Sequence, residues 1–128
     1  MENNHNLPLL MIYRDGSQPS FVNQAFCDIL GYTLKELLGI EIQELVHPED
    51  LARNSIKAHM FEDNHSKAFE AALRLRKKDG DYLPMRSYAC FHFDEKNNRD
   101  MIAVRYQPIS DQAFEALLLA HKEVVMYG

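Results

Sequence analysis

The chain has 128 residues, of which 46% are hydrophobic and 26% are charged, and its formal net charge is −5. This length and composition are typical of one globular domain with a real hydrophobic core. Because an acidic chain has no excess of Lys and Arg to neutralise a phosphate backbone, direct nucleic-acid binding is not expected. No run approaches the roughly 20 apolar residues of a membrane span, so a membrane partner is not expected either.

The N-terminus and the two cysteines indicate the compartment. The first residues, MENNHNLP, are polar and lack a basic flank before an apolar run, so they are not expected to form a signal peptide. Residues 1–7 are instead predicted to be disordered. Cys27 and Cys90 lie far apart in apolar segments, and they are interpreted as buried free thiols of a reducing compartment, with a disulfide as the alternative. The expected location is therefore intracellular, in the cytoplasm or the nucleus.

Two short strands are predicted at the start of the chain. Residues 7–13 are almost all apolar, which is typical of a buried strand, and Pro8 suits an edge position. Residues 14–17 are typical of a turn, and residues 20–22 follow as a second strand. The two strands are therefore predicted to form a hairpin.

The next stretch contains three helix starts. Asn23 is predicted to cap a first helix that ends at Gly31, where glycine adopts a left-handed conformation easily. Thr33 and Glu36 have the spacing of a capping box at the start of a second helix. The sequence HPED opens a third helix, which is predicted to run over residues 48–60. Helices this short are not stable alone in water, so they are expected to pack on a sheet.

Three longer strands supply most of that sheet. Residues 69–76 alternate between apolar and polar side chains, which is typical of a half-buried strand. A turn with Asp-Gly at 78–81 predicts a hairpin to a long strand at 82–93. After a second turn at 94–100, the last strand covers residues 101–107. This order predicts an α+β fold with about five antiparallel strands and the short helices on one face of the sheet.

A final amphipathic helix is predicted over residues 111–128, with its start near Ser110. Ile109 and Phe114 occupy the two positions of a hydrophobic staple. One face of the helix has the spacing that is expected to pack on another surface. The positions on this face are Phe114, Leu117, Leu118, His121, Val124 and Val125.

Four stretches of the sequence, in this order, resemble the Per-Arnt-Sim (PAS) sensor family: FVNQAF, GYTLKELLG, HPED and LRLRKKDGDYLPMRS. The resemblance covers roughly residues 8–110, which form the predicted PAS domain. Within the family, the sequence is similar to the second PAS domain of basic helix-loop-helix regulators and to bacterial PAS sensor domains. It implies a five-stranded sheet that encloses a small cavity together with the short helices. It also implies sensing or protein association rather than catalysis, with the outer sheet face and a flanking helix used for dimers or partner contacts.

Two cofactors of that family can be tested on the sequence. Flavin-dependent light sensors of the family carry a reactive cysteine on the short helix after the GY…G region, and residues 39–45 contain none, so flavin is not expected. Haem-binding members use a histidine on the helix before the third strand, where His59 and His65 lie. Both histidines lie among polar residues, as solvated side chains do, so a haem-binding gas or redox sensor is the alternative function. No cofactor and no other metal site are predicted.

The side chains that face the short helices would line any small-molecule pocket. Ser87 is the polar group on the inward face of the long strand, where it would bond to a ligand or to a neighbouring backbone group. A fully packed core is the alternative interpretation of the same apolar pattern. The predicted pocket residues are Phe26, Leu30, Leu45, Leu73, Leu75, Met85, Ser87 and Ala89.

The outer sheet face is less polar than a solvated face, so the terminal helix, a second copy or another signalling protein is expected to cover it. The predicted interface residues are Tyr88, Cys90, His92, Phe114, Leu117, Leu118 and Val125.

Because the sequence has no nucleophile elbow and no phosphate-binding loop, no enzyme activity is predicted. The sequence thus predicts a PAS-type sensory or interaction module that regulates signalling or transcription as a homodimer or with another PAS protein.

Overall fold

The computed structural model describes residues 7–53 and 68–127, and it describes side-chain surroundings at 7–53 and 70–120. The elements in chain order are β1 (Leu9–Tyr13), β2 (Phe21–Val22), α1 (Gln24–Leu30), α2 (Leu34–Leu38), α3 (Ile42–Leu45), α4 (helical over 48–53), β3 (Ala68–Arg76), β4 (Tyr82–Asp94), β5 (Arg99–Pro108) and α5 (Asp111–Tyr127).

Some of the sequence predictions fall on residues outside this description. They are the disorder expected at residues 1–6, the part of the third helix after residue 53, and the haem candidates His59 and His65. These predictions stay as they were made.

The five strands form one antiparallel sheet in the order β2-β1-β5-β4-β3. Because β1 pairs with both β2 and β5, the N-terminal hairpin extends the sheet that β3, β4 and β5 form. The last strand in the sequence, β5, consequently lies in the middle of the sheet. This arrangement confirms the predicted α+β fold, with a five-stranded antiparallel sheet, short helices on one face and a C-terminal flanking helix.

The strand register assigns each residue to one of two faces. Leu10 lies opposite Val104, and Ser87 lies opposite Tyr106, on the inner face that α1, α2 and α3 cover. Successive residues of each strand alternate between this face and the outer face. The largest apolar side chains of the core with less than 2% of their surface exposed are Leu10, Phe26, Leu30, Leu37, Leu45, Leu75 and Met85.

Hydrogen bonds confirm the two predicted helix caps. The Asn23 Oδ1 atom accepts from the backbone N–H of Phe26 at 3.0 Å and from that of Leu9 at 2.9 Å. The cap of α1 therefore also ties this helix to β1. At the start of α2, Thr33 and Glu36 exchange side-chain and backbone hydrogen bonds of 3.1 and 2.9 Å, which is a complete capping box.

The turn between β3 and β4 is held against the end of α1. Gly31 ends α1 in a left-handed conformation with φ of 86°. The Tyr32 hydroxyl donates to the Arg76 carbonyl at 3.2 Å, and the Lys78 backbone N–H donates to the Leu30 carbonyl at 2.9 Å. Two separate stretches of the sequence, GYTLKELLG and KKDG, are thereby brought together.

The sequence pattern does not predict α3, which has only four residues. Its contacts come from the turn after β1: the Ile42 backbone N–H donates to the Ser17 carbonyl at 2.8 Å, and the Ser17 hydroxyl donates to the Glu41 carboxylate at 3.0 Å. The Glu41 backbone N–H also donates to the Glu44 side chain at 3.4 Å. Because a single helical turn has no periodicity to detect, tertiary contacts decide its conformation.

The C-terminal helix packs on the outer face of the sheet. Phe114 and Leu117 are buried against Ala72 of β3, with Ile109 and Leu118 partly buried beside them. Ile109 thus packs in the same cluster as Phe114, as the predicted hydrophobic staple requires. Among the described residues, no helix is both long enough and apolar enough to cross a membrane.

The interpretation of both cysteines as buried is wrong for one of them. Cys27 is buried in α1, whereas Cys90 of β4 is exposed, and both thiols are free. Cys90 lies on the outer face of the sheet, beyond the part that α5 covers at Ala72. An apolar sequence neighbourhood therefore did not imply burial, because neighbouring strand residues point to opposite faces.

Candidate functional site

Six of the eight predicted pocket residues belong to one packed cluster on the inner face, and the other two, Ser87 and Ala89, are buried. Phe26 and Leu30 of α1 meet Leu75 and Met85 of the strands, and each of these side chains is at most 1% exposed. The remaining cluster members, Leu45 and Leu73, are buried and half-buried. The arrangement agrees with both interpretations of the sequence, a pocket and a packed core, and the pocket stays a prediction.

Ser87 uses its hydroxyl group inside the sheet. Its Oγ donates to the Ala71 carbonyl of the neighbouring strand at 3.1 Å, and the residue is 3% exposed. The donor is therefore satisfied by the backbone, which is one of the two roles expected for it. The Ser87 oxygen keeps its lone pairs as acceptors.

Tyr106 is a buried polar residue that the sequence pattern did not single out. It lies opposite Ser87 on the inner face, is 3% exposed, and its ring meets that of Phe26 edge-on with centroids 5.4 Å apart. Burial raises the pKa of Tyr106 far above the ordinary value, and no described residue forms a hydrogen bond with its hydroxyl group. Side chains of β5 alternate between the two faces of the sheet, so the register between β4 and β5 is enough to assign Tyr106 to the inner face.

The outer face carries an apolar row that crosses four strands. Phe21 lies opposite Met11, Met11 lies opposite Ala103, and Ala103 lies opposite Cys90. We call these four residues the outer row. Phe21 is 45% exposed and Cys90 is also exposed, so this row faces outward on the part of the sheet away from α5.

The predicted interface residues of β4 border the outer row. Tyr88 is 38% exposed, and His92 is exposed on the same face as Cys90. The Tyr88 hydroxyl accepts a hydrogen bond from Arg86 at 3.4 Å. The structure thus brings these three predicted residues together on one accessible surface.

Three of the four predicted interface residues of α5 lie where the structure describes side chains. Phe114 and Leu117 are buried against the sheet of their own chain, and Leu118 is partly buried beside them. The side chain of Val125 lies outside the described residues. In contrast, Leu119 is 63% exposed, on a helix side that the sequence pattern did not assign to any contact.

A buried ionic cluster lies where α4 meets the edge of β3. Asp50 is fully buried, and its carboxylate accepts from Arg53 at 2.6 Å and from the Arg74 backbone N–H at 2.7 Å. The Arg74 guanidinium adds two further hydrogen bonds of 3.0 Å. Burial opposes ionisation, but the hydrogen bonds from Arg74 and Arg53 outweigh it and hold the pKa of Asp50 below its usual value. Asp50 therefore anchors α4 to the sheet, beyond the helix-dipole role that its sequence position suggests.

An open cleft of about 460 Å³ lies between the end of α1 and the turn after β3. Its two lysines are paired with carboxylates: Lys78 Nζ lies 2.9 Å from Glu36, and Lys77 Nζ lies 3.6 Å from Asp79. The cleft thus presents balanced charges rather than a cationic site.

The residues present do not fit flavin photochemistry. Residues 39–45, which include α3, contain no cysteine. Cys27 of α1 is buried, and burial raises the pKa of its thiol, which disfavours the reactive thiolate. Within 7–53 and the described residues after 67, no group of three or more His, Cys, Asp or Glu side chains could hold a metal ion.

Comparisons with known proteins agree with this architecture. A light-oxygen-voltage domain solved with a flavin analogue is 18% identical, with a TM-score of 0.75, 91% of this chain covered and 87% of that one. A PAS domain from a two-component sensor histidine kinase is 20% identical, with a TM-score of 0.67 and coverages of 84% and 88%. The PAS-B domain of Drosophila melanogaster Cycle, a tryptophan-to-alanine variant with bound glycerol, is 19% identical, with a TM-score of 0.67 and coverages of 80% and 100%. At these identities the likeness shows the fold alone.

The sequence itself carries the family assignment. No curated protein matches the chain. The family model described as the PAS fold matches residues 19–105, which is more than half of the chain and runs from just before β2 into β5. The chain therefore belongs to the PAS family, whose domains are generally sensory and interaction modules rather than enzymes.

Proposed function

We propose that this PAS domain is a non-catalytic interaction module that regulates a signalling or transcription output by forming a homodimer through α5 and the outer sheet face. The observation that carries the proposal is the exposure of apolar side chains on both of these surfaces. The location stays the predicted one, in the cytoplasm or the nucleus.

The helix α5 is apolar on two sides. Phe114 and Leu117 hold one side on the sheet, whereas Leu119 on the other side is 63% exposed. When a helix also carries apolar residues on the side that faces away from its own sheet, that second side is typically covered by another surface. Other exposed apolar residues of the helix are Ala113, Ala116 and Ala120.

A second copy of the chain is the partner that fits this surface best. In a twofold dimer the same patch meets itself, so small alanines and a leucine on one helix would pack against the same residues of another. The outer row, with Tyr88 beside it, would extend the contact across the sheet. Phe114 and Leu117 then serve the interface indirectly, because they hold α5 in place.

Sedimentation equilibrium over a concentration series tests the proposal. The wild-type chain is expected to form dimers, and Leu119→Asp is expected to shift the chain to monomers without changing the melting temperature at dilutions at which both chains are monomeric. Leu34→Asp is the matched control, since Leu34 is a 50% exposed leucine on α2, away from α5. A monomeric wild-type chain, or a Leu119→Asp chain that still dimerises, would contradict the proposal.

Small-molecule sensing in the core is a second candidate function, and Tyr106 supports it. The Tyr106 hydroxyl forms no hydrogen bond with a described residue, so it can donate to a bound ligand, and Ser87 on the opposite strand can accept. Native mass spectrometry on the purified, untreated protein would show a bound ligand as extra mass. Haem at His59 or His65 stays the alternative, and a Soret band in the absorbance spectrum would identify it.

A further inference from the structure

The side chain of Arg74 contacts two separate helices, α4 and α5. Arg74 lies on β3, the edge strand of the sheet, with its side chain on the outer face. On one side its guanidinium binds the buried Asp50 carboxylate of α4 with two hydrogen bonds of 3.0 Å. On the other side the guanidinium carbon lies 5.1 Å from the ring centroid of Phe114 in α5.

These two contacts constrain the same planar group. A guanidinium that donates two hydrogen bonds to one carboxylate has a fixed plane, and that plane also determines how it stacks on an aromatic ring. If the Asp50 carboxylate moves, the Arg74 guanidinium must give up either its hydrogen bonds or its position over Phe114.

The backbone next to Arg74 reinforces this connection. The Asp50 carboxylate accepts from the Arg74 N–H at 2.7 Å, and the Arg74 carbonyl accepts from the His47 N–H at 3.0 Å. Val46 forms an isolated bridge with Leu75, the next residue of β3. The segment that leads into α4 is thus bonded to the strand at the position from which Arg74 extends.

Arg53 provides a second connection to the same docking site. Its guanidinium donates to Asp50 at 2.6 Å and to the carbonyl of Ala72 at 3.0 Å. Ala72 is the strand residue against which Phe114 and Leu117 are buried. Both arginines that bind Asp50 therefore also contact the cluster that holds α5 on the sheet: Arg74 contacts Phe114, and Arg53 contacts Ala72.

We propose that Arg74 is a positioning residue that couples the start of α4 to the docking of α5, so that a displacement of α4 releases α5 from the sheet. The coupling is a property of the monomer. Its use in controlling partner binding rests on the proposed function, because α5 is the proposed dimer helix.

Amide hydrogen exchange on the full chain tests the coupling, at a concentration at which the protein is monomeric. In Asp50→Asn, exchange of the α5 amides is expected to accelerate about tenfold relative to that of the β5 amides, since local opening of α5 is separate from global unfolding. Glu49→Gln is the matched control, because Glu49 is 69% exposed and only 4.0 Å from Arg74 at its nearest. It is expected to leave α5 exchange unchanged.

The path through Arg74 is tested by combining variants. In an Arg74→Met background, Asp50→Asn is expected to accelerate α5 exchange much less than it does in the wild-type background, because only the connection through Arg53 remains. Arg74→Lys keeps a positive charge but loses the planar fork, so it is expected to accelerate α5 exchange by itself, and it tests the coupling if Asp50→Asn does not fold. Equal acceleration in α5 and β5, no acceleration, or an undiminished Asp50→Asn effect in Arg74→Met would overturn the inference. None of these outcomes depends on whether the chain dimerises, which the Leu119→Asp experiment decides separately.

Discussion

Ser87 and Tyr106 lie opposite each other on β4 and β5, and both residues are buried on the inner face of the sheet. Their hydroxyl groups differ in one respect. Ser87 donates to the Ala71 carbonyl, whereas no described residue forms a hydrogen bond with the Tyr106 hydroxyl. The Ser87 hydroxyl is thus used inside the sheet, whereas the Tyr106 hydroxyl is available to a water or a guest molecule.

Tyr106→Phe is expected to change the free energy of unfolding by less than about 0.5 kcal/mol, because the Tyr106 hydroxyl forms no hydrogen bond with a described residue. Urea denaturation measures the change. Tyr32→Phe is the matched control: the Tyr32 hydroxyl donates to the Arg76 carbonyl at 3.2 Å, so its loss is expected to lower stability by about 1 kcal/mol. If Tyr106→Phe were destabilising to the same degree, a water or ligand would bind the hydroxyl in solution.

Asp50→Asn is expected to lower the free energy of unfolding by about 3 kcal/mol at neutral pH, because Arg74 and Arg53 lose their buried carboxylate. The pKa of Asp50 is lower in the folded state than in the unfolded chain. Its stabilising contribution is therefore present above the unfolded value, near pH 4, and is lost as the pH falls through the folded value. Urea denaturation between neutral and acid pH should show a smaller acid-dependent loss in Asp50→Asn than in wild type, and equal losses would argue against this role.

Leu118→Asp is expected to lower the free energy of unfolding by about 2 kcal/mol, because a charge would enter the cluster where α5 packs on the sheet. Leu119→Asp, on the exposed side of the same helix, is expected to change stability by less than about 0.5 kcal/mol. Thermal melts at one dilute concentration compare the two variants. A similar loss in both would mean that α5 is docked with a different face.

The two cysteines are expected to differ in reactivity. Cys90 is exposed, whereas Cys27 is buried and burial raises the pKa of its thiol. A thiol reagent followed by mass spectrometry should therefore modify Cys90 at least about tenfold faster than Cys27 under native conditions. Protection of Cys90 that increases with protein concentration would place the outer row inside the dimer contact.

The sequence predicted the elements whose signals are local. Asn23, Thr33 and Gly31 act through hydrogen bonds or backbone preferences within a few residues of the chain, and the structure confirms all three. The hairpin turn at Asp79-Gly80 is equally local, with Gly80 at φ of 99°. Such signals do not depend on the rest of the fold, which is why they can be recognised without it.

The features that the sequence did not predict depend on distant contacts. The conformation of α3 rests on Ser17, 24 residues before Glu41. The role of Asp50 likewise depends on Arg74, 24 residues later, and that of Tyr106 depends on the register between β4 and β5. The sequence predicts a candidate pocket and an interface on the two faces of the strands, and both stay predictions, but it could not show which side chains α5 would cover.

The central place of β5 has a consequence for how the protein is made. The strand pairs with β1 on one side and β4 on the other, although it is the last of the five to be synthesised. Until about residue 108 has left the ribosome, the chain consists of two separate hairpins, each with an unpaired edge and an uncovered apolar side. Folding of the sheet is therefore expected to proceed by insertion of β5 between the two hairpins, and a nascent chain that ends before β5 is the species most in need of a chaperone.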